Sequence, residues 1–265
     1  KKAYENKREP KIVMNGRKMA AQVSAGRLRT EVAGKEETAR AAMDAAGRRV
    51  RDDASMKIEL PDPGVSNSRR IATLGDGTRS WVVQGPERVA LIGRNGVGKT
   101  TLLRRLVTDA AASGFPMNPE LVAEAHTDRI GYLSQRVDGL DESASVVENI
   151  AAAAPHVPDK ELRNRLARFL IRGATMDRPV GALSGGERFR VALAKLLLAD
   201  PPPHLVVLDE PTNNLDLDTV DQLVQALRAY RGAVLVVSHD DVFLQRLELD
   251  LTLELDAEGE LAQIG

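Results

Sequence analysis

No cysteine occurs among the 265 residues of this chain. Disulfide bonds, thiol catalysis and cysteine–zinc sites are therefore excluded, and the composition fits a reducing compartment. The chain also lacks a signal peptide and any apolar run long enough to span a bilayer, so we expect a soluble, cytoplasmic protein with no membrane partner. Its formal net charge is only −1, which means that a basic surface for nucleic acid has to be local.

Such a local basic surface lies at the start of the chain, which begins with Lys1 instead of methionine, as a piece of a longer protein would. Residues 1–18 contain seven Lys or Arg and two Glu, an excess of five positive charges. A solvated, fraying terminus is one interpretation of this charge run. The other is contact with RNA phosphates, for which the candidates are Lys7, Arg8, Lys11, Arg17 and Lys18.

The next segment, residues 19–53, is rich in Ala, Arg and Glu and contains no proline, which favours one long helix. Its apolar residues recur near a heptad rhythm, so this helix should pack on one partner helix. A proline- and glycine-containing break at residues 60–64 ends the region. We therefore predict a basic tip and linker helix over residues 1–55 and an α/β domain over residues 56–265.

A phosphate-binding pattern lies near the centre of the chain. Residues 93–101 fit G-x-x-x-x-G-K-[ST] between a strand-like run at 88–92 and a predicted helix over 100–112. In such a loop backbone N–H groups surround phosphates at a helix N-terminus, the lysine reaches the phosphates and the threonine binds Mg²⁺. The predicted nucleotide-binding residues are Gly93, Arg94, Asn95, Gly96, Val97, Gly98, Lys99, Thr100 and Thr101.

The fold class follows from the order of the predicted elements. Apolar runs at 205–208 and 233–237 alternate with helical patterns, which predicts a doubly wound α/β fold with a mainly parallel sheet. Strand candidates at 70–74 and 80–83 flank a glycine-containing turn and indicate an antiparallel β subdomain. Residues 136–182 are predicted to be a helical insert, with helices at 146–154 and 160–171. Further strands are predicted at 56–60 and 129–133, and a hairpin at 251–264.

Two further patterns carry chemistry. Asp209 and Glu210 follow the run at 205–208, where an open α/β sheet places its ligand-binding residues. Asp209 would hold Mg²⁺, and Glu210 would orient or deprotonate the water that attacks the γ-phosphate. Ser184 and Glu187 stand at capping-box spacing before an amphipathic helix. A helix that begins with a serine and two glycines also presents a hydroxyl, bare N–H groups and a positive dipole end to an anion.

The run L-S-G-G-E at residues 183–187 resembles the signature sequence of ABC ATPases. Gln135 is similar to the Q-loop glutamine of that family, His239 to its switch histidine, and residues 214–216 to its D-loop. The resemblance implies a P-loop ABC-type nucleotide-binding domain that hydrolyses ATP with Mg²⁺. It implies a second such domain as partner, from the upstream half of the same protein or from a homodimer. The implied site comprises the catalytic residues Glu210, His239 and Gln135, the metal ligands Thr100, Gln135 and Asp209, the D-loop Asn214, Leu215 and Asp216, and a signature of Ser184, Gly185, Gly186 and Glu187 that faces the partner's nucleotide.

The longer runs at 183–190, 209–217 and 238–240 are similar to ABC-F proteins, which join two such domains by a long helical linker and act on the ribosome. Residues 5–11 resemble the tip of that linker. This implies a translation factor or an antibiotic-resistance protein whose tip contacts tRNA and rRNA near the peptidyl-transferase region. The alternatives are the ATPase subunit of a membrane transporter and an ATP-gated binding module without hydrolysis. Residues 66–70 lack the aromatic that usually stacks on adenine, which leaves adenine or guanine recognition open.

Overall fold

The structure, a computed structural model, describes residues 59–108 and 120–264. The strands in these residues are β1 (Arg70–Gly75), β2 (Ser80–Gln84), β3 (Arg88–Ile92), β4 (Val122–Ala125), β5 (Ile130–Leu133), β6 (Leu205–Asp209), β7 (Ala233–Val237), β8 (Leu251–Leu255) and β9 (Leu261–Ile264). The helices are α1 (Lys99–Val107), α2 (Val146–Ala153), α3 (Asp159–Arg168), α4 (Gly185–Leu197), α5 (Leu217–Ala229) and α6 (Asp241–Arg246). The predicted basic tip, linker helix and domain boundary at residue 55 lie outside the described residues.

The larger of the two described sheets has the strand order β5-β6-β7-β3-β8-β9. Its strands pair in parallel except for the antiparallel hairpin of β8 and β9. β6 and β7 are buried over their whole length, as expected for strands that are covered on both faces. The prediction of a mainly parallel sheet is therefore confirmed.

Two layers of core cover this sheet, because side chains alternate between the faces of each strand. Leu205 and Val207 of β6 belong to the layer that contains Leu102 of α1. Val206 and Leu208 belong to the opposite layer, which α4 and α5 share with the helical insert. Parallel strands end at a common edge, so the loops that follow β3, β6 and β7 meet there.

The smaller sheet is antiparallel, with the order β2-β1-β4 among the described strands, and includes the predicted hairpin. Asp76 lies in the turn between β1 and β2, where its carboxylate accepts hydrogen bonds from the N–H groups of Arg79 over 2.7 Å and Thr78 over 3.0 Å. It also accepts one from the N–H of Leu261 in β9 over 3.0 Å. These hydrogen bonds hold the pKa of Asp76 well below its usual range, and the bond from the Arg79 N–H has the largest effect. One buried carboxylate thus fastens the antiparallel sheet to the parallel one.

Three predicted elements differ from the structure. The helix predicted over 160–171 ends at Arg168, because Leu170 adopts a positive φ of 56°. The helix predicted to reach residue 112 ends at Val107, since Thr108 is extended with φ −127° and ψ 138°. Of the strand predicted at 56–60, the described residues Glu59 and Leu60 lie outside any strand. Among the described residues, no helix has the length and hydrophobicity that a membrane crossing requires.

Candidate nucleotide site

A cleft of about 610 Å³ opens at the carboxyl edge of the parallel sheet. It brings together residues that lie far apart in the sequence, because β3, β6 and β7 all end there. Its described lining consists of Asn95, Gly96, Gly98, Lys99, Thr100, Thr101, Gln135, Asp209, Glu210, Asn213, Val237 and His239. Asn213 was not named among the predicted site residues, although it lies within the run 209–217.

The loop between β3 and α1 requires glycine at both ends. Gly93 has φ 138°, and a Cβ there would lie 2.2 Å from the carbonyl oxygen of Leu255. Gly98 has φ 107°, a conformation that L side chains rarely adopt, and it lies at the N-cap of α1. Among the described residues, no side chain caps α1 and no acidic residue lies in its first turn. The positive end of α1 is therefore available to an anion.

Lys99 is held at the base of the loop and is only 6% exposed. Its Nζ donates hydrogen bonds to the carbonyl oxygens of Gly93 over 2.6 Å and Arg94 over 2.9 Å. Burial lowers the pKa of the Lys99 ammonium, while the carboxylates of Glu210 and Asp209 oppose that shift. Gly93 and Arg94 thus act through their carbonyl groups, which orient the ammonium.

Asp209 ends β6 with a side chain that is nearly buried. The hydroxyl of Thr100, the second residue of α1, donates to its Oδ1 over 3.2 Å. Gln135, two residues beyond β5, lines the same cleft. Hydroxyl, carboxylate and amide oxygens are hard donors that suit Mg²⁺, so these three side chains could hold that ion.

Glu210 lies in the left-handed region with φ 49°, which is uncommon for a residue other than glycine and is found at functional sites. Its N–H donates to the carbonyl of Val237 in β7 over 2.8 Å, which fixes this turn to the neighbouring strand. Burial raises the pKa of the Glu210 carboxyl, and the charges of His239 and Lys99 oppose the shift. Such a group is suited to orient or deprotonate a water molecule.

His239 follows β7 and contacts two charged groups through one ring nitrogen. Its Nε2 lies 3.2 Å from Oε1 of Glu210 and 3.2 Å from Nζ of Lys99. A neutral imidazole nitrogen either donates or accepts a hydrogen bond, so Nε2 serves one of these partners at a time. A ligand that binds the Lys99 ammonium would leave Nε2 to Glu210.

The signature residues lie apart from this cleft. Ser184 caps α4 in a capping box with Glu187, whose carboxylate accepts from the N–H of Ser184 over 2.9 Å. Gly185 lines a second cavity of about 140 Å³ together with Gln135 and Glu210. Within the described lining of both cavities, Ser184, Gly186 and Glu187 are absent.

The D-loop residues Asn214 and Leu215 line the second cavity and are absent from the described lining of the cleft. Asn214 has a positive φ of 63°. Asp216 caps α5 by accepting from the N–H of Thr219 over 2.7 Å. The described residues 66–70 do not line the cleft. The choice between adenine and guanine therefore stays open, as it is from the sequence.

The described geometry matches a known family. The family model described as "ABC transporter" matches residues 78–213. This chain belongs to the ABC family. Membership implies that the domain binds ATP, and it agrees with the predicted P-loop ABC-type fold.

Two relatives identify the branch of the family. ATP-binding cassette sub-family F member 3 of Mus musculus is 42% identical over 160 residues, which are 60% of this chain and 21% of that protein. Protein GCN20 of Saccharomyces cerevisiae is 43% identical over 161 residues, which are 60% of this chain and 20% of that protein. The nucleotide-binding domain is therefore of the ABC-F type, and the chain matches about a fifth of the length of these relatives.

A solved structure agrees on the fold. The structure of a bacterial Atm1-family ABC exporter with ATP bound aligns over 78% of this chain and 41% of its own, with a TM-score of 0.57 and 22% identity. At this identity the likeness concerns the fold alone. It agrees with the predicted P-loop ABC-type α/β fold.

Proposed function

We propose that this ABC-F domain binds and hydrolyses Mg·ATP, with a second domain of the same kind completing each site. The observation that carries the proposal is the meeting of Lys99, Asp209, Glu210 and His239 in one cleft at the uncapped N-terminus of α1. These residues come from three separate loops. The cleft therefore contains a cation from Lys99, a candidate metal ligand in Asp209 and a candidate base in Glu210. It also contains His239, a hydrogen-bond donor that can change its partner.

Phosphate binding is assigned to the loop and to Lys99. Gly96 and Gly98 leave the space beside the loop open within the described residues, so backbone N–H groups can approach phosphate oxygens closely. The Lys99 ammonium then exchanges its contacts with backbone carbonyls for contacts with phosphates. Thr100, Asp209 and Gln135 would hold Mg²⁺, which supplies charge neutralisation on the phosphate oxygens when it is bound.

Hydrolysis is assigned to Glu210 and His239. Glu210 orients the attacking water and accepts its proton, which its raised pKa favours. His239 is released from Lys99 when the ammonium turns to phosphate, and its Nε2 can then donate to the γ-phosphate or to Glu210. Gln135 lines both cavities, so it would transmit a change in the cleft to the second cavity, which Gly185 of the signature also lines.

The composite site can be tested by mixing two impaired chains. Lys99→Ala damages the phosphate loop and Ser184→Ala damages the signature, so each homodimer has two defective sites. In a 1:1 mixture half of the dimers are mixed, and each of those contains one intact site. Phosphate release should recover to about a quarter of the wild-type rate, because of this two-fold symmetry.

Three control results bear on the proposal. Wild-type specific activity should rise with protein concentration, because the dilute monomer has only half of each site. Absence of recovery in a mixture that dimerises would contradict the composite site. Absence of phosphate release by the concentrated wild type would instead favour the ATP-gated module without hydrolysis.

For the whole protein, the proposed partner is the ribosome, which it would serve as a translation factor or as an antibiotic-resistance protein. The ABC-F relatives and the local excess of positive charge at residues 1–18 support this assignment. In it, the tip contacts tRNA or rRNA phosphates through Lys7, Arg8, Lys11, Arg17 and Lys18. Contacts of this kind make the affinity depend on salt.

Ribosome co-sedimentation of the full-length protein over a range of salt concentrations tests this partner. Neutralising Lys7 and Arg8 should reduce the magnitude of the log–log salt slope by about one to two. Arg163 and Arg165 of α3 form ion pairs within the domain and serve as the matched control. An unchanged ribosome affinity and salt slope in the Lys7 and Arg8 variant, or co-purification with a membrane protein instead of ribosomes, would favour the transporter-subunit alternative.

A further inference from the structure

A tyrosine that no motif identifies contacts the candidate metal ligand. The hydroxyl of Tyr132 in β5 donates to Oδ2 of Asp209 over 3.4 Å. Thr100 donates to the other oxygen, Oδ1, over 3.2 Å. Both distances are long for hydroxyl–carboxylate hydrogen bonds, so each contact is weak on its own. Each oxygen of Asp209 thus has its own donor, and the two donors come from different elements.

The sheet register explains why Tyr132 reaches this position. β5 and β6 pair in parallel, with Tyr132 opposite Val207 and Leu133 opposite Leu208. Side chains alternate along a strand, so Val207 and Asp209 point to the same face, and Tyr132 points there too. Tyr132 also packs against the core layer on the α1 side of the sheet. The contact with Asp209 follows from the strand pairing and needs no loop rearrangement.

A second contact fixes the direction of the hydroxyl proton. The side chain of Arg104 in α1 hydrogen-bonds to the hydroxyl of Tyr132. A guanidinium only donates, so the phenol oxygen accepts from Arg104 and its single proton is left for Asp209. The chain of donors runs from Arg104 through Tyr132 to Asp209, while Thr100 approaches from the start of the same helix.

We propose that Tyr132 is a positioning residue that orients the Asp209 carboxylate for a divalent cation. The proposal rests on the Mg·ATP function proposed above and adds a residue to it. Residues that hydrogen-bond to metal ligands typically contribute about 10- to 100-fold to metal affinity. Tyr132 also lies three residues before Gln135, so one strand end would position two candidate Mg²⁺ ligands.

The test is a Mg²⁺ titration of nucleotide binding by the whole chain. Affinity for a fluorescent ATP analogue is measured in EDTA and at increasing Mg²⁺, with wild type, Tyr132→Phe and Tyr230→Phe. Tyr230→Phe is the matched control, since it removes a buried hydroxyl that donates to the carbonyl of Pro203 over 2.5 Å, away from the cleft. For Tyr132→Phe we expect an unchanged affinity in EDTA and a half-saturating Mg²⁺ concentration about 10-fold higher. Tyr230→Phe should match the wild type in both.

The possible failures are distinct. A wild type whose nucleotide affinity is independent of Mg²⁺ would overturn the proposed Mg·ATP function itself. A Mg²⁺-dependent wild type with an unchanged Tyr132→Phe midpoint would overturn the role of Tyr132 alone, as would equal losses in EDTA and Mg²⁺. Should Tyr132→Phe unfold, Arg104→Ala replaces it, because Arg104 lies on an exposed position of α1. That variant should raise the Mg²⁺ midpoint by less than the roughly 10-fold expected for Tyr132→Phe, and an unchanged midpoint would again overturn the proposal.

Discussion

α2 and α4 begin with nearly the same capping box and end up with different surroundings. Ser145 donates its N–H to Glu148 over 2.7 Å, and Ser184 donates its N–H to Glu187 over 2.9 Å. The return bonds, from each glutamate N–H to the serine hydroxyl, measure 3.3 and 3.4 Å. By local hydrogen bonding alone the two helix starts are equivalent.

The two helix starts differ in the residues that follow the capping serine. α2 continues with Val146 and Val147, which are 0% and 8% exposed and seal its first turn against the core. α4 continues with Gly185 and Gly186, and a Cβ at Gly185 would meet nothing within 4 Å in the described part of the chain. The first N–H groups of α4 are therefore accessible from outside, whereas those of α2 are covered.

This comparison teaches that a cap does not decide whether a helix start serves stability or binding. The capping box stabilises both helices, and access to the first turn distinguishes them. Glycines that carry no packing role leave a positive helix end open to a large anion from another molecule.

Glu210→Gln should lower ATP hydrolysis by about 10²- to 10⁴-fold, because the water loses its base, and should leave nucleotide binding intact. The nucleotide-bound pair of domains then persists long enough for amide hydrogen exchange to be measured. Exchange at residues 184–188 should slow on addition of Mg·ATP, while exchange at residues 145–149 should not change. Equal slowing at both caps would remove the distinction between them, and normal turnover would remove Glu210 from the catalytic role.

The phosphate loop and the acidic pair could be predicted from the sequence, because each depends on a contiguous run. Gly93 and Lys99 belong to one motif, and Asp209 follows an apolar run whose burial is evident from composition. Tyr132 could not be predicted in the same way. Tyr132 meets Asp209 only through the pairing of β5 with β6, which no local pattern encodes.

The limits of the elements illustrate the same point. β4 is a short edge strand with the sequence VAEA, which lacks the β-branched pattern of a central strand, so it was not predicted. The helix end at Val107 depends on the extended Thr108, although helical residues continue in the sequence. The capping box at Ser184 was predicted because its bonds span only three residues. The box at Ser145 has the same spacing and was not predicted, and the burial of its first turn is a tertiary property that spacing does not show.

Lys99→Ala should weaken nucleotide binding by about 10- to 100-fold, the effect of losing a charged hydrogen-bond donor to phosphate. Equilibrium binding of a fluorescent ATP analogue measures it. At subsaturating nucleotide this variant should also lose the slowing of amide exchange at residues 184–188, since the partner domain brings no phosphate to α4. Arg94→Ala is the control, because Arg94 contacts Lys99 through its backbone carbonyl, which the substitution keeps. Retained protection in Lys99→Ala at such concentrations would mean that α4 closes without nucleotide.

Ser184→Ala and Ser145→Ala form the direct test of the comparison. Each removes one capping hydroxyl and should lower the free energy of unfolding by about 1 kcal/mol, measured by denaturant titration. Only Ser184→Ala should reduce ATP hydrolysis in concentrated protein, by about 10-fold, because in the proposed composite site its hydroxyl would also contact phosphate of the partner's nucleotide. A similar loss of activity in Ser145→Ala would show that the effect comes from helix stability.

The smallest expected effect concerns the pH dependence of the two caps. The N–H and hydroxyl of Ser184 lower the pKa of Glu187 from its ordinary value of 4.5, and the hydroxyl and N–H of Ser145 do the same for Glu148. A lowered pKa contributes stability above the ordinary value, and that stability is lost as the pH falls below 4.5 toward the folded-state pKa. Glu187→Gln and Glu148→Gln keep an acceptor in the box but remove the titration. In thermal unfolding each should flatten the acid side of the Tm profile by less than about 4 °C, and by similar amounts.

Adding Mg·ATP to the hydrolysis-deficient background Glu210→Gln should then make the two profiles differ, because bound phosphate replaces the carboxylate only at Ser184. Profiles that stay alike with nucleotide bound would place the Ser184 cap among the purely structural ones.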